Sequence, residues 1–244
     1  MGKVFNFING ASVPASGNTT LDVLDPSNGK VLSQVPLSRE SDVNAAVSAA
    51  GSAYVNWRLV SMKRRAAIVL KLSLAIESNL NEIASLISSE SGKNLQESLN
   101  DVYKCLEMLE WAINLPQFAD GSHYELTTDV VCHETRQSVG VVAAILPFSS
   151  LATVPMWSIP VALIMGNCII LKPSEKAPQT IQRIVELMVS VGVPSGVVQI
   201  VHGDAETATA LCDHTGVHAV SFVGSSKVAE LVNKRCQAVN KRVL

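Results

Sequence analysis

From Ser138 to Glu175 the chain reads SVGVVAAILPFSSLATVPMWSIPVALIMGNCIILKPSE, and no charged residue stands between Arg136 and Lys172. The apolar run divides into pieces of strand and helix length. They are a buried strand, a turn at Pro147-Phe148-Ser149, a helix, a stop at Gly166-Asn167, a second buried strand, and then Lys172-Pro173-Ser174-Glu175. The pattern repeats down the chain. Strands are predicted over 139–145, 168–171, 197–201 and 219–223, and helices over about 151–165, 177–191 and 205–212. A last helix starts after Gly224-Ser225 and reaches about Val239, and Gly192 and Pro194 end the second one. Strict β-α alternation predicts an α/β fold with a doubly wound parallel sheet. Such sheets bind ligands outside the carboxyl ends of their strands, where Lys172 and Glu175 stand.

The earlier residues read as a cover for that sheet. Residues 4–36 alternate in short strands, and Asp25-Pro26-Ser27-Asn28-Gly29-Lys30 marks a hairpin between LDVL and VLSQV. Four helices follow. The first is expected to be capped by Ser38, with Glu40 and Asp42 in its first turn and Val43, Ala46 and Val47 on one face, ending near Trp57. The second follows Ser61, with Ala67, Leu70 and Leu74 at helical spacing. The third covers about 80–89 and closes at Gly92. The fourth runs over about 95–115, with Val102, Leu106, Leu109 and Ala112 inward and Pro116 as its stop. Four amphipathic helices in a row are expected to pack on the later sheet. Residues 121–137 alternate polar and apolar and carry charge, which predicts an exposed strand or hairpin projecting from the body. It is either a solvated edge or a strand that pairs with another subunit. The chain therefore divides into 1–120, 121–137 and 138–244.

Composition narrows the function classes. With 48% apolar and 16% charged residues and a net charge of −2, the 244 residues make an ordinary globular protein without an electrostatic footprint for nucleic acid. Pro147, Pro155, Pro160 and Gly166 break the uncharged run, against a membrane span. The five cysteines (Cys105, Cys132, Cys168, Cys212, Cys236) are odd in number and show no metal-ligand spacing, so reduced thiols are expected. MGKVFNFING has neither a signal core nor a basic amphipathic presequence, which points to the cytoplasm, or to the mitochondrial matrix had a presequence been removed.

Three junctions carry candidate chemistry. Gly224-Ser225 lies between a strand and a helix, where freed amides favour an anion such as pyrophosphate; it can also be a plain tight turn. Lys172 and Glu175, three apart after a buried strand, suit the ribose hydroxyls of a nucleotide, or Ser174 or Glu175 caps the next helix. Pro147-Phe148-Ser149-Ser150 can set a donor near a reacting carbonyl or simply turn into a helix. His202-Gly203-Asp204 reads as a turn with Asp204 as an N-cap. No G-x-G-x-x-G pattern occurs, and no cysteine lies in a motif that marks it as a nucleophile.

Together these residues resemble the aldehyde dehydrogenase superfamily. The likeness runs through Gly140-Val141-Val142, Pro147-Phe148, Pro155-Met156-Trp157, Gly166 to Glu175, Gly192 to Val197 and Phe222-Val223-Gly224-Ser225. It spans Asp25-Pro26 to Lys241-Arg242-Val243. Pro155-Met156-Trp157, Cys212-Asp213-His214 and Val228-Ala229-Glu230 look most similar to the CoA-acylating methylmalonate (malonate) semialdehyde branch. The resemblance implies a Rossmann-like cofactor domain that takes NAD, with CoA as co-substrate and a cysteine thioester on the path. It implies Lys172 and Glu175 at the adenosine ribose with Lys176 beside them, Gly224 and Ser225 at the pyrophosphate, and Leu146 and Phe148 lining the cleft. It also implies that 121–137 is an oligomerisation strand, hence a homo-oligomer.

Two departures qualify it. Where the family has an asparagine after Pro-Phe, whose amide stabilises an oxyanion, this chain has Ser149, followed by Ser150 and Leu151. Loss of one such donor costs about 2.7–4 kcal/mol. None of the five cysteines matches the family's nucleophile, so the chain alone is expected not to oxidise aldehydes. The alternative is a non-catalytic binding or interaction protein on the same fold.

Overall fold

The computed structural model describes residues 2–119 and 121–244. Five short strands open the chain: β1 (Gly2–Lys3), β2 (Asn6–Ile8), β3 (Ala11–Val13), β4 (Thr20–Leu24) and β5 (Val31–Pro36). The expected hairpin is β4–β5. Its loop closes on the Asp25 carboxylate, which accepts from the Ser27 amide and hydroxyl and from Asn28 Nδ2, while Gly29 takes φ +71°. Helices α1 (Glu40–Trp57), α2 (Met62–Ser78), α3 (Leu80–Ser91) and α4 (Leu95–Ile113) follow, with a single turn α5 (Leu115–Phe118) after them. Pro116 lies inside that turn, beyond the end of α4.

Strands β6 (His123–Thr127) and β7 (Val130–His133) then form a separate antiparallel pair, every residue of which is exposed. The regular alternation comes next: β8 (Val141–Ile145), α6 (Thr153–Ile164), β9 (Cys168–Lys172), α7 (Gln179–Ser190), β10 (Val198–Ile200), α8 (Ala205–Asp213), β11 (Ala219–Phe222), α9 (Ser226–Ala238) and β12 (Arg242–Val243).

Among the described residues the main sheet runs in the order β12-β11-β8-β9-β10-β2-β3. Strands β8 to β12 are parallel, and β2 joins β10 antiparallel at the far edge. The order steps outward from β8 to β9 to β10, then returns to β8's other side with β11. That reversal makes the carboxyl ends of β8 and β11 a topological switch point. The short strands expected over 4–36 are present, and β2 and β3 among them extend the main sheet, a pairing that three-residue strands carry too little periodicity to predict.

Helix α1 packs directly on β8, β9 and β10, on the same side as α8. Helices α2, α3 and α4 do not reach the sheet as expected. They pack on α6 and α7, which lie between them and the strands. Doubly covered, α6 is apolar almost all round. It also runs through Pro155 and Pro160 rather than breaking there. Pro155 falls in the first turn, where an amide has no intrahelical partner, and Pro160 forgoes one bond in a tightly packed helix.

Two local expectations change. Ser38 does not cap α1. Arg39 takes the N-cap position and its amide donates to the Asp42 carboxylate (2.8 Å), while Ser38 is bonded to Asn6 of β2. On α2 the inward stripe is Ala66, Val69, Leu72 and Ile76, with Ala67, Leu70 and Leu74 facing out. Both stripes fit helical spacing, and tertiary packing selected the first.

Neither α6 nor α7 has a side-chain cap of its own. Each is capped from the outer layer. Asp101 of α4 accepts from the amides of Leu151 (2.9 Å) and Thr153 (3.1 Å) and from the Thr153 hydroxyl (2.5 Å). Glu90 of α3 accepts from the amides of Gln179 (2.6 Å) and Thr180 (2.8 Å) and from the Thr180 hydroxyl (2.6 Å). Both carboxylates are buried, and the α6 and α7 macrodipoles favour negative charge there. Asp101→Ala leaves buried donors unpaired and is expected to lower stability by about 3 kcal/mol. The exposed Glu107→Ala on the same helix should stay within about 0.5 kcal/mol. Urea denaturation of the two variants checks this, and equal midpoints would contradict it.

Candidate functional site

Strand register fixes the site's floor. Ile145, Lys172 and Phe222 lie at one level across β8, β9 and β11. Beyond them the ladder continues by single bonds: Leu146 N–H to the Lys172 carbonyl (2.9 Å), and Val223 N–H to the Ile145 carbonyl (3.3 Å). The loops carrying Leu146, Phe148 and Ser149, then Lys172 to Lys176, then Gly224 and Ser225, therefore leave the sheet along a single edge. That edge carries Leu146, Phe148, Ser149, Lys172, Glu175, Lys176, Gly224 and Ser225.

Lys172 ends a strand whose five residues are all buried. Its Nζ meets Glu175 Oε2 at 3.2 Å, and Glu175 remains one-third exposed. Burial pulls the Lys172 pKa down, and the charges of Glu175 and Asp204 and the Glu175 hydrogen bond pull it back up. The pair thus presents a partly open carboxylate backed by a buried cation. Helix capping by Ser174 or Glu175 does not occur; α7 starts later, at Gln179, and Glu90 caps it. Lys176 Nζ lies 4.6 Å from the centre of the half-exposed Phe148 ring, which ties the first loop to the second.

Ser225 is the N-cap of α9, in extended geometry, and its side chain makes no capping bond. The first-turn amides of a 13-residue helix thus face the edge without a side-chain acceptor. Gly224 is needed for contact: a Cβ there would sit 2.5 Å from the Phe222 ring. Ser149 is exposed, and Lys93 Nζ grips its carbonyl at 2.6 Å while standing 3.9 Å from Asp101.

Asp204 caps α8 through the Glu206 amide (2.9 Å), as its sequence position suggests. His202, fully buried at the end of β10, was read only as part of that turn. Its amide donates to Asn6 Oδ1 (2.8 Å) and its Nε2 lies 3.4 Å from Gln182 Oε1. Burial and then the Lys172 charge hold its pKa down to about 3.

Four cysteines are buried, and burial pushes the thiols of Cys105, Cys168, Cys212 and Cys236 up, away from nucleophilic form. Cys132 is exposed on β7. Among the described residues no group of three His, Cys, Asp or Glu side chains could hold a metal ion, and no helix is long and apolar enough to cross a membrane. A cleft of about 480 Å³ lined by Glu40, Asn44, Glu206 and Asp213, among others, shares no residue with the carboxyl edge.

Sequence reasoning missed Lys93, Glu90 and Asp101. The last two had a signal: each is a carboxylate on the buried stripe of an amphipathic helix, beside Ile87 in one case and Val102 in the other. An acid in that register needs a buried donor.

Comparison with known proteins gives one answer. Residues 13–244 match the model of the "Aldehyde dehydrogenase family". A malonate-semialdehyde dehydrogenase of Lacticaseibacillus casei is 41% identical over 239 residues, 98% of this chain and 49% of that protein. Malonate-semialdehyde dehydrogenase 1 of Geobacillus kaustophilus is 38% identical over the same shares of the two chains. A crystal structure of a Sinorhizobium meliloti 1021 protein, assigned as a methylmalonate-semialdehyde dehydrogenase and complexed with NAD, superposes at a TM-score of 0.97 with 33% identity. It is covered over 50% of its length by the whole of this chain. The chain spans about half the length of the curated relatives it matches.

His202 yields a pH prediction. The unfolded chain protonates it near pH 6.5 and the folded chain near 3, so between those values the unfolded state binds more protons. The neutral imidazole's contribution is complete above pH 6.5 and is lost as pH falls toward 3, on the order of a few kcal/mol. The stability of His202→Gln should fall less steeply than that of the parent across this window, measured by denaturant midpoints against pH. Parallel slopes would contradict it.

Proposed function

The chain belongs to the aldehyde dehydrogenase family, and on that premise we propose that it is the cofactor-binding part of an NAD-dependent semialdehyde dehydrogenase. The reaction we assign to the complete enzyme is oxidation of malonate or methylmalonate semialdehyde to an acyl-CoA through a cysteine thioester. The observation that carries this reading is the switch-point edge itself, with an uncapped helix N-terminus, a Lys–Glu pair and an aromatic wall side by side.

These groups fit a dinucleotide. Glu175 accepts from ribose hydroxyls and Lys172 donates to one of them; Lys176 lies at the same end. Ser225 and the α9 amides take the pyrophosphate, close backbone approach being allowed by Gly224. Leu146 and Phe148 form the apolar side of the cleft. When bound, NAD supplies the hydride acceptor. Glu175 disfavours a 2′-phosphate, so NAD is preferred over NADP. Lys93 fixes the Ser149 turn, where the hydroxyl takes the place of the amide that faces the oxyanion in the family.

The thioester step needs a thiolate that this chain does not supply, since four cysteines are buried and the fifth lies on the hairpin. The 244 residues alone are therefore assigned cofactor binding without turnover. The paired β6–β7 hairpin, with Leu126 64% and Val131 49% exposed, is assigned to pairing with a second subunit. The Ser149 substitution favours a second reading, a non-catalytic binding protein on the same fold.

Calorimetric titration with NAD tests the site. The parent should bind with one site per chain, and Lys172→Ala with Glu175→Ala should weaken affinity at least tenfold; unchanged affinity would remove these residues from the site. The second reading fails on detection of NADH when the complete enzyme is given a semialdehyde, NAD and CoA.

A further inference from the structure

The amino ends of the same strands carry a separate cavity. It measures about 290 Å³ and is lined by Tyr54, Arg58, Arg65, Arg136, Gln137 and Ser138, among others. The end of α1, the first turn of α2, the hairpin root after β7 and the residue entering β8 meet there. A five-residue strand at about 3.3 Å per residue sets it about 17 Å from the carboxyl edge.

Among the described residues its lining holds three guanidiniums and no carboxylate. Arg65 is only 6% exposed. Its Nε donates to the Ile164 carbonyl (2.8 Å) and its Nη1 reaches the carbonyls of Trp57, Arg58 and Val60. These carbonyls orient the guanidinium without neutralising it, and Nη2 has no hydrogen-bond partner among the described residues. Burial without an acid pulls the Arg65 pKa down. Gly166 allows the arrangement, since a Cβ there would lie 3.1 Å from the guanidinium carbon. Arg58 stands 5.7 Å from the Tyr54 ring centre, and Arg136 lies 3.8 Å from the exposed Glu134. The Tyr54 and Ser138 hydroxyls bond to each other at 2.9 Å, and Tyr54 also reaches the Ser138 carbonyl (3.1 Å), which makes a neutral polar wall.

A buried cation held by carbonyls, with no counter-charge among the described residues and flanked by two exposed guanidiniums, is the complement of a compact multivalent anion. We infer that this cavity binds a phosphate-type oxyanion, seated on Arg65 and closed over by Arg58 and Arg136. The cavity has room for a small ester group beside the phosphate. A bound anion joins α1, α2 and the hairpin root through one charge.

Inorganic phosphate is titrated into the 244-residue chain by calorimetry, at ionic strength held constant with sodium chloride. Saturable one-to-one binding is expected. The double variant Arg58→Gln, Arg136→Gln changes exposed side chains and should keep its circular dichroism while losing affinity at least tenfold. Saturating NAD should leave the phosphate titration unaltered. Glycerol 3-phosphate binding more tightly than inorganic phosphate would identify an ester as the ligand, and the reverse order the free anion; either order sustains the site. Heat that does not saturate, equal affinity in the double variant, or displacement of phosphate by NAD would each overturn the assignment.

Discussion

Two buried carboxylates hold the carboxyl edge of the sheet in place. Asp101 and Glu90 come from α4 and α3, yet they close the N-termini of α6 and α7, the helices that follow β8 and β9. The loops between those strands and helices carry Leu146, Phe148, Ser149, Lys172, Glu175 and Lys176. Without a local cap, each helix start is closed by a side chain from the outer layer. The geometry of the edge therefore depends on an N-terminal region that contributes little to the edge itself. Lys93 adds a direct link, from the α3–α4 junction to the Ser149 carbonyl.

The same economy explains the second half of the edge. Ser225 leaves the N-terminus of α9 without a side-chain acceptor, so one helix start at the switch point stays available while α6 and α7 are sealed by acids from the chain. A negative ligand there meets amides that have no better partner. Lys172 is buried against the sheet and Glu175 is partly open, which turns the carboxylate outward and leaves the ammonium protected from solvent. His202, kept neutral by burial and by the neighbouring Lys172, leaves that ammonium without a competing charge behind it.

Much of this was legible in the residues. The uncharged run from Ser138 and its repeats gave the order of β8 to α9, because fully buried strands and their crossover helices leave long apolar blocks. The candidate positions at the edge followed from where those blocks ended. What was hidden was tertiary. Ala67, Leu70 and Leu74 fit a helix as well as Val69, Leu72 and Ile76 do, and only the packing partner separates the two stripes. Ser38 has the chemistry of a cap, but Asn6 claims its hydroxyl. Three-residue strands such as β2 and β3 show as short strands, but nothing in them says which sheet edge recruits them. The family resemblance names candidate residues along this edge, whereas Glu90, Asp101 and Lys93 required the fold.

The central claim is that the carboxyl edge of β8, β9 and β11 is where NAD sits. Hydrogen–deuterium exchange on the chain with and without NAD tests it most directly. The account predicts slowed exchange of the amides at 146–150, 173–177 and 224–228, with the hairpin and the first turn of α2 unchanged. Protection confined to the cleft lined by Glu40, Asn44, Glu206 and Asp213, or no protection at saturating NAD, would contradict it.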